Sequence, residues 1–231
     1  MSWQPLLLTF QLALATTAVL LVLALPLAYW LAHTRSRWKA AVEALVSMPL
    51  VLPPTVIGFY FLLAFSPNGS FGGWIDAWLG LRLVFSFGGL VAASVIYSLP
   101  FMVHPVQAGL AGLPPSLAEA SALLGKSAWT TLLRIQLPNI RPALLTGTVL
   151  SFAHTIGEFG VVLMIGGNLP GKTRVASIAI YDEVEALNYP AANAYSLVLF
   201  VVCFAILLAV YWVNGTGASP ITTAFRKRPS L

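Results

Sequence analysis

The sequence predicts an all-α polytopic membrane protein with five transmembrane helices in a single domain, residues 1–231. Charged residues make up 8% of the 231 residues, against about 25% in a typical soluble domain. Hydrophobic residues make up 58%, and the mean hydropathy is +0.87. A soluble chain of this length cannot bury so much apolar surface, and a disordered chain has the opposite composition. Lipid must therefore be the solvent for most of the chain.

Five segments lack charged side chains almost completely. No Lys, Arg, Asp or Glu occurs in residues 1–34, 44–75, 83–118 or 186–225, and residues 142–171 contain only Glu158. Each segment exceeds the roughly 20 residues that a helix needs to cross a bilayer, and lipid requires the backbone groups to pair within the segment. The predicted transmembrane helices are residues 6–32, 41–65, 84–110, 141–165 and 191–213.

Proline interrupts the first three predicted helices. The first begins without a basic residue and is too long for a signal peptide, so we expect it to be retained, with a bend at Pro26. Pro49, Pro53 and Pro54 lie within the second, where each removes a backbone donor. Such breaks are tolerated where the freed carbonyls face protein or a water-filled cavity. They indicate either kinks that help packing or a helix that lines a translocation path. Pro100 and Pro105 predict further bends in the third.

The basic residues predict the orientation. Nine of the twelve fall on one side if the N-terminus is outside and the C-terminus is cytoplasmic. These nine are Arg35, Arg37, Lys39, Lys126, Arg134, Arg141, Arg226, Lys227 and Arg228. Despite a net charge of +5, no basic run is interleaved with aromatics, so we expect no nucleic-acid partner.

The predicted cytoplasmic loop, residues 112–138, carries the most informative pattern. Two prolines precede Ser116, and Glu119 follows three residues later, which predicts a capping box at the start of a helix. Gly125 predicts the end of that helix, and a second short helix should run from residue 127 to 135 until Pro138 ends it. The small residues Ala120 and Ser121 would let a partner approach closely. A helix resting on the membrane surface would have a similar sequence.

This loop resembles the EAA loop of permeases of binding-protein-dependent ABC importers. Glu119-Ala120-Ser121 is followed after three residues by Gly125, and nine residues later by Ile135-Gln136-Leu137-Pro138. The pattern departs from the family at Ser121, where the family has alanine. The resemblance implies a coupling helix that docks on a cytoplasmic ATPase subunit. The residues that match the motif and would carry coupling are Glu119, Ala120, Ser121, Gly125, Ile135, Leu137 and Pro138.

Three further stretches are similar to the molybdate permease branch of that family. They are residues 50–58 with Pro53-Pro54-Thr55, residues 157–160 with the sequence Gly-Glu-Phe-Gly, and residues 168–174. Sulfate permeases resemble the chain at Gly-Glu-Phe-Gly but are usually longer. The resemblance favours the type I ABC importer permease fold. The candidate pathway or gate residues are Pro53, Pro54, Thr55, Gly157, Glu158, Phe159 and Gly160.

His154 and Glu158 are the polar residues of the fourth predicted helix that need an explanation. Their i, i+4 spacing places both on one helix face, but two ligands are too few for a catalytic zinc. A carboxylate that faces an anion path would repel the solute. We therefore expect Glu158 to have a structural or gating role near the outer end, with Gly157 and Gly160 allowing close helix contact. Protonation of Glu158, or a partner on another helix, would remove the repulsion.

Two sequence patterns lie in the predicted outer loop. Residues 166–173 match the G-x₄-G-K-T pattern of a phosphate-binding loop, but they follow a transmembrane helix rather than a strand, so we interpret the match as chance. Residues 175–187 form an amphipathic stretch with several charges. This stretch predicts a solvated helix, or else an external gate or a surface for a solute-binding protein.

The resemblance implies a permease of the bacterial inner membrane that imports an oxyanion by alternating access driven by a partner ATPase. It favours molybdate as the solute and implies no catalytic site, cofactor or metal in the chain itself. The implied partners are cytoplasmic ATP-binding subunits, an extracytoplasmic oxyanion-binding protein and a second copy of the chain. Alternatives are a tungstate or sulfate/thiosulfate ABC permease and an ion-coupled secondary transporter in which Glu158 carries a proton. An intramembrane enzyme built around His154 and Glu158 is a further alternative.

Overall fold

The computed structural model describes residues 2–217, which form helices joined by short connections, with no strand in that range. Three of the basic residues that favour a cytoplasmic C-terminus, Arg226, Lys227 and Arg228, lie outside the described residues. The helices are α1 (Gln4–His33), α2 (Lys39–Val51), α3 (Pro54–Phe65), α4 (Ser70–Leu79), α5 (Phe87–Ala111), α6 (Pro115–Leu123), α7 (Ala128–Thr131), a π-turn (Leu132–Gln136), α8 (Leu137–Asn139), α9 (Arg141–Gly157), α10 (Gly160–Gly166), α11 (Ala176–Glu185) and α12 (Tyr189–Gly217).

Helices α1, α5 and α9 pack together at the centre of the fold. In one half of this bundle, Ala24 and Ala28 of α1 are fully buried in the same apolar cluster as Met102 and Val106 of α5. Small side chains let helix backbones approach closely, which gains van der Waals contact where lipid supplies no hydrophobic driving force. Helices α1 and α5 remain continuous through their internal prolines.

A second apolar cluster positions the elements around the break in the fourth predicted span. Ile57 of α3 and Val161 and Ile165 of α10 pack against Leu90 of α5 and Leu12 of α1. Helix α10 is buried almost completely, and α3 lies directly against it. The short helices after the two breaks therefore pack on each other and on α5.

The second and fourth predicted helices are not straight helices. Helices α2 and α3 meet at 114°, and α9 and α10 meet at 61°. The first break follows from proline chemistry, because a residue before proline is disfavoured in the helical region and both Leu52 and Pro53 are extended. Helices α1, α5 and α12 are each long and apolar enough to cross a membrane, so the described chain has three such helices, or up to five spans if each bent pair is one.

Helix α11 forms within the predicted amphipathic stretch and closes one end of the bundle. Its Ala176 and Ala179 are buried against Leu6 of α1 and Tyr195 of α12. The hydroxyl of Thr9 on α1 accepts a hydrogen bond from the backbone N–H of Ala176 at 2.8 Å. The helix is therefore attached to the start of α1 and to α12 and is not a free surface loop.

Candidate functional site

The loop between α5 and α9 begins its helix earlier than the sequence predicts. Pro114 is extended and precedes α6, and Pro115 is the first helical residue. Proline suits that position because its missing N–H would be unpaired there. Ser116 therefore lies inside the helix and no side chain caps its start, so the predicted capping box is wrong.

The end of α6 is formed by Gly125, as the sequence predicts. Gly125 has a φ of +67°, and its N–H donates to the carbonyl of Ala122 at 2.9 Å. The N–H of Lys126 donates to the carbonyl of Ser121 at 3.1 Å. These two bonds are the Schellman arrangement, which needs a left-handed residue at this position.

Ser121 and Thr131 join the two short helices of the loop. Their hydroxyl oxygens lie 2.7 Å apart, and Ser121 is 1% exposed. Because the hydroxyl of Thr131 donates to the carbonyl of Ser127, Ser121 is the donor in the bond between the two hydroxyls. Ser121 therefore faces the inside of the loop, whereas Glu119 and Ala120 are exposed and available to a partner.

Pro138 does not end the second helical stretch. A π-turn follows α7, with the N–H of Leu137 donating to the carbonyl of Leu132. Helix α8 then includes Pro138 in its first turn, where proline needs no donor, and ends at Asn139. Ile135 and Leu137 are partly buried, and Gln136, which was not among the predicted coupling residues, is buried.

The loop presents an apolar tip that lies outside the residues of the EAA pattern. The side chains of Leu123, Leu124 and Trp129 are 90%, 75% and 66% exposed. Large apolar side chains exposed together mark an interaction surface more often than an inert one. On its other side the loop borders a cavity of about 460 Å³ whose lining includes Arg35 and Glu119.

A second cavity, of about 450 Å³, lies at the two helix breaks and brings together six of the seven predicted pathway residues. Pro53 is the one that does not line it. The lining residues are Pro54, Thr55, Tyr97, His154, Gly157, Glu158, Phe159 and Gly160. We call this the break cavity; a pathway role for its residues stays a prediction.

The two glycines beside Glu158 differ in their contacts. A Cβ atom on Gly160 would lie 2.9 Å from the Cβ of Pro54, so this glycine lets α10 approach α3. A Cβ on Gly157 would meet nothing within 4 Å. The prediction of close contact is therefore correct in geometry for Gly160 and wrong for Gly157.

Glu158 lies at the break and not on the helix face of His154. Helix α9 ends at Gly157, and the backbone of Glu158 is extended. The carboxyl oxygen Oε2 accepts a hydrogen bond from Ser94 of α5 at 2.7 Å, and the side chain is 4% exposed. Glu158 thus has a hydrogen-bond partner on another helix, but a neutral hydroxyl does not cancel the charge of a carboxylate.

His154 is held by residues of α5. Its Nδ1 lies 2.9 Å from the hydroxyl oxygen of Ser98. Its ring centroid lies 4.1 Å from that of Phe101 and 4.9 Å from that of Tyr97. Ser94 and Ser98 are four residues apart on α5, so one helix face positions both Glu158 and His154. Their periodic spacing is the only signal in the sequence that could have found them.

Helix α11 contacts the break directly. The hydroxyl of Ser177 donates to the backbone carbonyl of Glu158 at 2.6 Å, and the ring of Tyr181 lies 5.2 Å from that of Phe159. The hydroxyl of Tyr181 donates to Glu185, and this bond together with the negative charge of Glu185 raises the pKa of Tyr181 above 10.0. Helix α11 is therefore in direct contact with residues that line the break cavity.

The segment that resembles a phosphate-binding loop is closed on itself. The hydroxyl of Thr173 donates to the carbonyl of Gly166 at 2.6 Å and accepts from the N–H of Leu169 at 3.0 Å. Asn168 bonds to Asp182 and Arg174. The segment follows helix α10. These bonds show that its polar residues stabilise a turn that supports α11. Within residues 2–217, no three His, Cys, Asp or Glu side chains group together in a way that could hold a metal ion.

Comparison with known proteins adds one family and several relatives. Residues 24–215 match the family described as binding-protein-dependent transport system inner membrane component. The molybdenum transport system permease protein ModB of Azotobacter vinelandii is 49% identical over 207 residues, which are 88% of this chain and 90% of that protein. The sulfate transport system permease protein CysT of Escherichia coli is 34% identical over 189 residues, or 82% of this chain and 68% of that protein.

Among solved structures, the inward-facing MetNI methionine ABC transporter is similar in fold. The TM-score is 0.72 at 17% identity, and the match covers 95% of this chain and 100% of that chain.

Proposed function

The chain belongs to the family of binding-protein-dependent transport system inner membrane components, and from that premise we propose that it is the transmembrane permease subunit of an ABC importer for molybdate. The observation that supports molybdate as the solute is the 49% identity, over nearly the whole of both chains, with a molybdenum transport permease. The apolar helices place the chain in the cytoplasmic membrane, which it crosses several times.

The family's dependence on a binding protein implies that recognition lies in an extracytoplasmic oxyanion-binding protein. ATP hydrolysis lies in cytoplasmic ATP-binding subunits, and the permease itself performs no chemistry. A second copy of the chain would complete the translocation path. Residues 1–231 form one permease domain, with five spans when each bent pair is one span, the N-terminus outside and the C-terminus cytoplasmic.

Coupling to the ATPase is assigned to the loop of residues 112–138. Glu119 and Ala120 are exposed on α6, and the apolar tip at Leu123 and Trp129 adds surface that a docking cleft would cover. The bond between Ser121 and Thr131 joins the two short helices, so the loop can move as one body when a partner pushes on it. Gly125, Ile135, Leu137 and Pro138 contribute through the shape of the loop.

The path for the solute is assigned to the break cavity. It lies where two helices are interrupted, and interrupted backbone at membrane depth is tolerated where it lines a cavity or is buried in protein. Few fixed charges line it, so the solute would bind weakly and pass on, as conduction requires. Helix α11, bonded to Glu158 through Ser177, is the surface on which a docked binding protein would act.

Reconstitution tests this function. The chain would be co-expressed with its ATPase subunit, and the purified complex placed in proteoliposomes with the oxyanion-binding protein. We expect ATP-dependent uptake of molybdate and tungstate that exceeds uptake of sulfate. Sulfate uptake above molybdate uptake would instead favour the sulfate permease, for which the 34% identity with a sulfate transport permease is the supporting observation. Uptake without ATP that follows a proton gradient would indicate a secondary transporter.

Charge reversal at the loop tests the coupling assignment. Glu119→Lys should lower co-purification of the ATPase subunit, or lower solute-stimulated ATP hydrolysis, about tenfold or more, because it replaces an anion that a docking cleft would pair with a cation. Asp76→Lys is the matched control, since it makes the same reversal on α4, away from both the loop and α11. Normal ATP-dependent uptake by Glu119→Lys would contradict the assignment.

A further inference from the structure

His154 has surroundings that gating alone does not explain. It lines the break cavity, and among the described residues that do so it is the one whose side chain can carry a positive charge. The remaining lining residues are one proline, two glycines, two aromatics, a threonine and Glu158. An anion that entered this cavity would therefore meet one nitrogen heterocycle as its cationic partner, with the hydroxyls of Thr55 and Tyr97 as further hydrogen-bond donors.

The ring of His154 is fixed in orientation. Ser98 holds Nδ1 at 2.9 Å, and the rings of Phe101 and Tyr97 pack against the imidazole. Nε2, at the other edge of the ring, has no hydrogen-bond partner within residues 2–217. The side chain is only partly buried, so the ring remains accessible from the cavity. A ring held at one nitrogen and free at the other is positioned to bind a ligand.

Glu158 lines the same cavity, and its charged form would repel an anion. Its Oε1 is buried from solvent, its Oε2 is bonded to Ser94, and the whole residue is 4% exposed. The carboxyl group is thus bonded to α5, although Glu158 also lines the cavity. A serine hydroxyl does not cancel a carboxylate charge, so an anion at His154 requires Glu158 to be protonated, the second arrangement that would remove the repulsion.

We propose that His154, positioned by Ser98, is a specificity-determining contact for the tetrahedral oxyanion as it passes through the permease. This inference rests on the proposed function. The imidazolium form donates a hydrogen bond from Nε2 to an oxyanion oxygen. The neutral ring does so only as the tautomer with hydrogen on Nε2, which requires the hydroxyl of Ser98 to donate to Nδ1 rather than to the hydroxyl of Thr155, 3.2 Å away. One such donor in a cavity with few other polar groups orients the anion without holding it, which suits a step that must release its solute.

The test measures molybdate moved per ATP hydrolysed, because this ratio separates contact with the solute from coupling. The complete complex in proteoliposomes, with loaded binding protein, would be compared with His154→Phe, His154→Gln and Ser98→Ala. The matched control is His104→Phe. His104 pairs in the same way with a serine, its Nε2 lying 3.1 Å from the hydroxyl of Ser47, but it does not line the break cavity.

For His154→Phe we expect molybdate moved per ATP to fall about tenfold, the effect of losing one hydrogen bond to a charged group, while stimulated ATP hydrolysis stays normal. His154→Gln, which keeps an N–H donor, should recover part of the ratio and alter the preference for molybdate over sulfate. Ser98→Ala should lower the ratio less than His154→Phe. His104→Phe should match the wild type.

Two results would overturn the inference while leaving the proposed function intact. One is a wild-type ratio and wild-type selectivity in His154→Phe. The other is an equal loss of ATP hydrolysis, assembly or thermal stability in His154→Phe and His154→Gln, which would indicate a packing role. Failure of the wild-type complex to take up molybdate would instead overturn the proposed function, and this inference with it.

Discussion

At the scale of single residues, Gly160 determines how closely the two interrupted spans approach each other. A Cβ atom at this position would lie 2.9 Å from Pro54 Cβ and 3.3 Å from the backbone nitrogen of Thr55. The second contact is with backbone, which cannot move aside as a flexible side chain can. The break cavity therefore depends on the absence of a side chain at residue 160.

Gly160→Ala tests this dependence. We expect the unfolding free energy of the purified protein to fall by about 1–3 kcal/mol, because the added methyl group overpacks the contact between α3 and α10. Thermal unfolding in detergent measures the change. Gly157→Ala is the matched control, since its Cβ would meet nothing within 4 Å. Equal stability of the two variants would show that α3 can move away from α10 without cost.

At the scale of elements, the loop of residues 112–138 combines local and tertiary structure. Gly125 ends α6 through local backbone geometry, which depends only on the residues next to it. The bond between Ser121 and Thr131 fixes the angle between α6 and α7, and it depends on how the two helices meet. Force applied to the exposed face of α6 can therefore pass to the stretch that leads into α9.

Gly125→Ala should weaken this element. An L-residue in the left-handed region costs about 1–2 kcal/mol, so α6 would fray at its end and its contact with α7 would loosen. We expect solute-stimulated ATP hydrolysis to fall several-fold, and amide hydrogen exchange in residues 120–126 to accelerate. Gly125→Asn is the control, because asparagine tolerates this conformation and should retain most of the coupling. Full activity in both variants would contradict a role for the turn.

At the scale of the whole molecule, the two ends of the bundle differ in chemistry. One end holds the loop of residues 112–138 together with Arg35 and Glu119 around a shared cavity. The other end holds α11, where Arg174 pairs with Asp182 at 3.4 Å and the N-terminal residues reach Tyr195. Excess basic charge at the first end is typical of a cytoplasmic face.

Cysteine labelling in intact cells tests this orientation. The chain has a single cysteine, Cys203, so Cys203→Ser provides a background without thiols. In that background, Glu185→Cys should react with a membrane-impermeant maleimide added outside, whereas Lys126→Cys should react only after the membrane is opened. The reverse pattern would mean that the N-terminus is cytoplasmic, and labelling of both from outside would contradict the assignment of spans.

Particular residues show how far the sequence could predict the fold. Gly125 and the helical stretch at residues 175–187 were predictable because each depends on nearby residues. The capping box at Ser116 was predicted wrongly because Pro114 and Pro115 start the helix earlier. The shared helix face of His154 and Glu158 was also wrong, since α9 ends between them at a break that contains no proline.

The amino-acid sequence by itself determined the solvent of the chain, its apolar segments and the loop that resembles a docking motif. Each of these depends on consecutive residues, because the residues of a transmembrane span or a loop helix are sufficient to indicate that helix. Tertiary structure alone decided the surroundings of the break cavity. Ser94 bonds to Glu158 across 64 positions, and Ser98 bonds to His154 across 56. Such pairs form only because α5 packs against α9 and the break that follows it, and no local pattern specifies that packing.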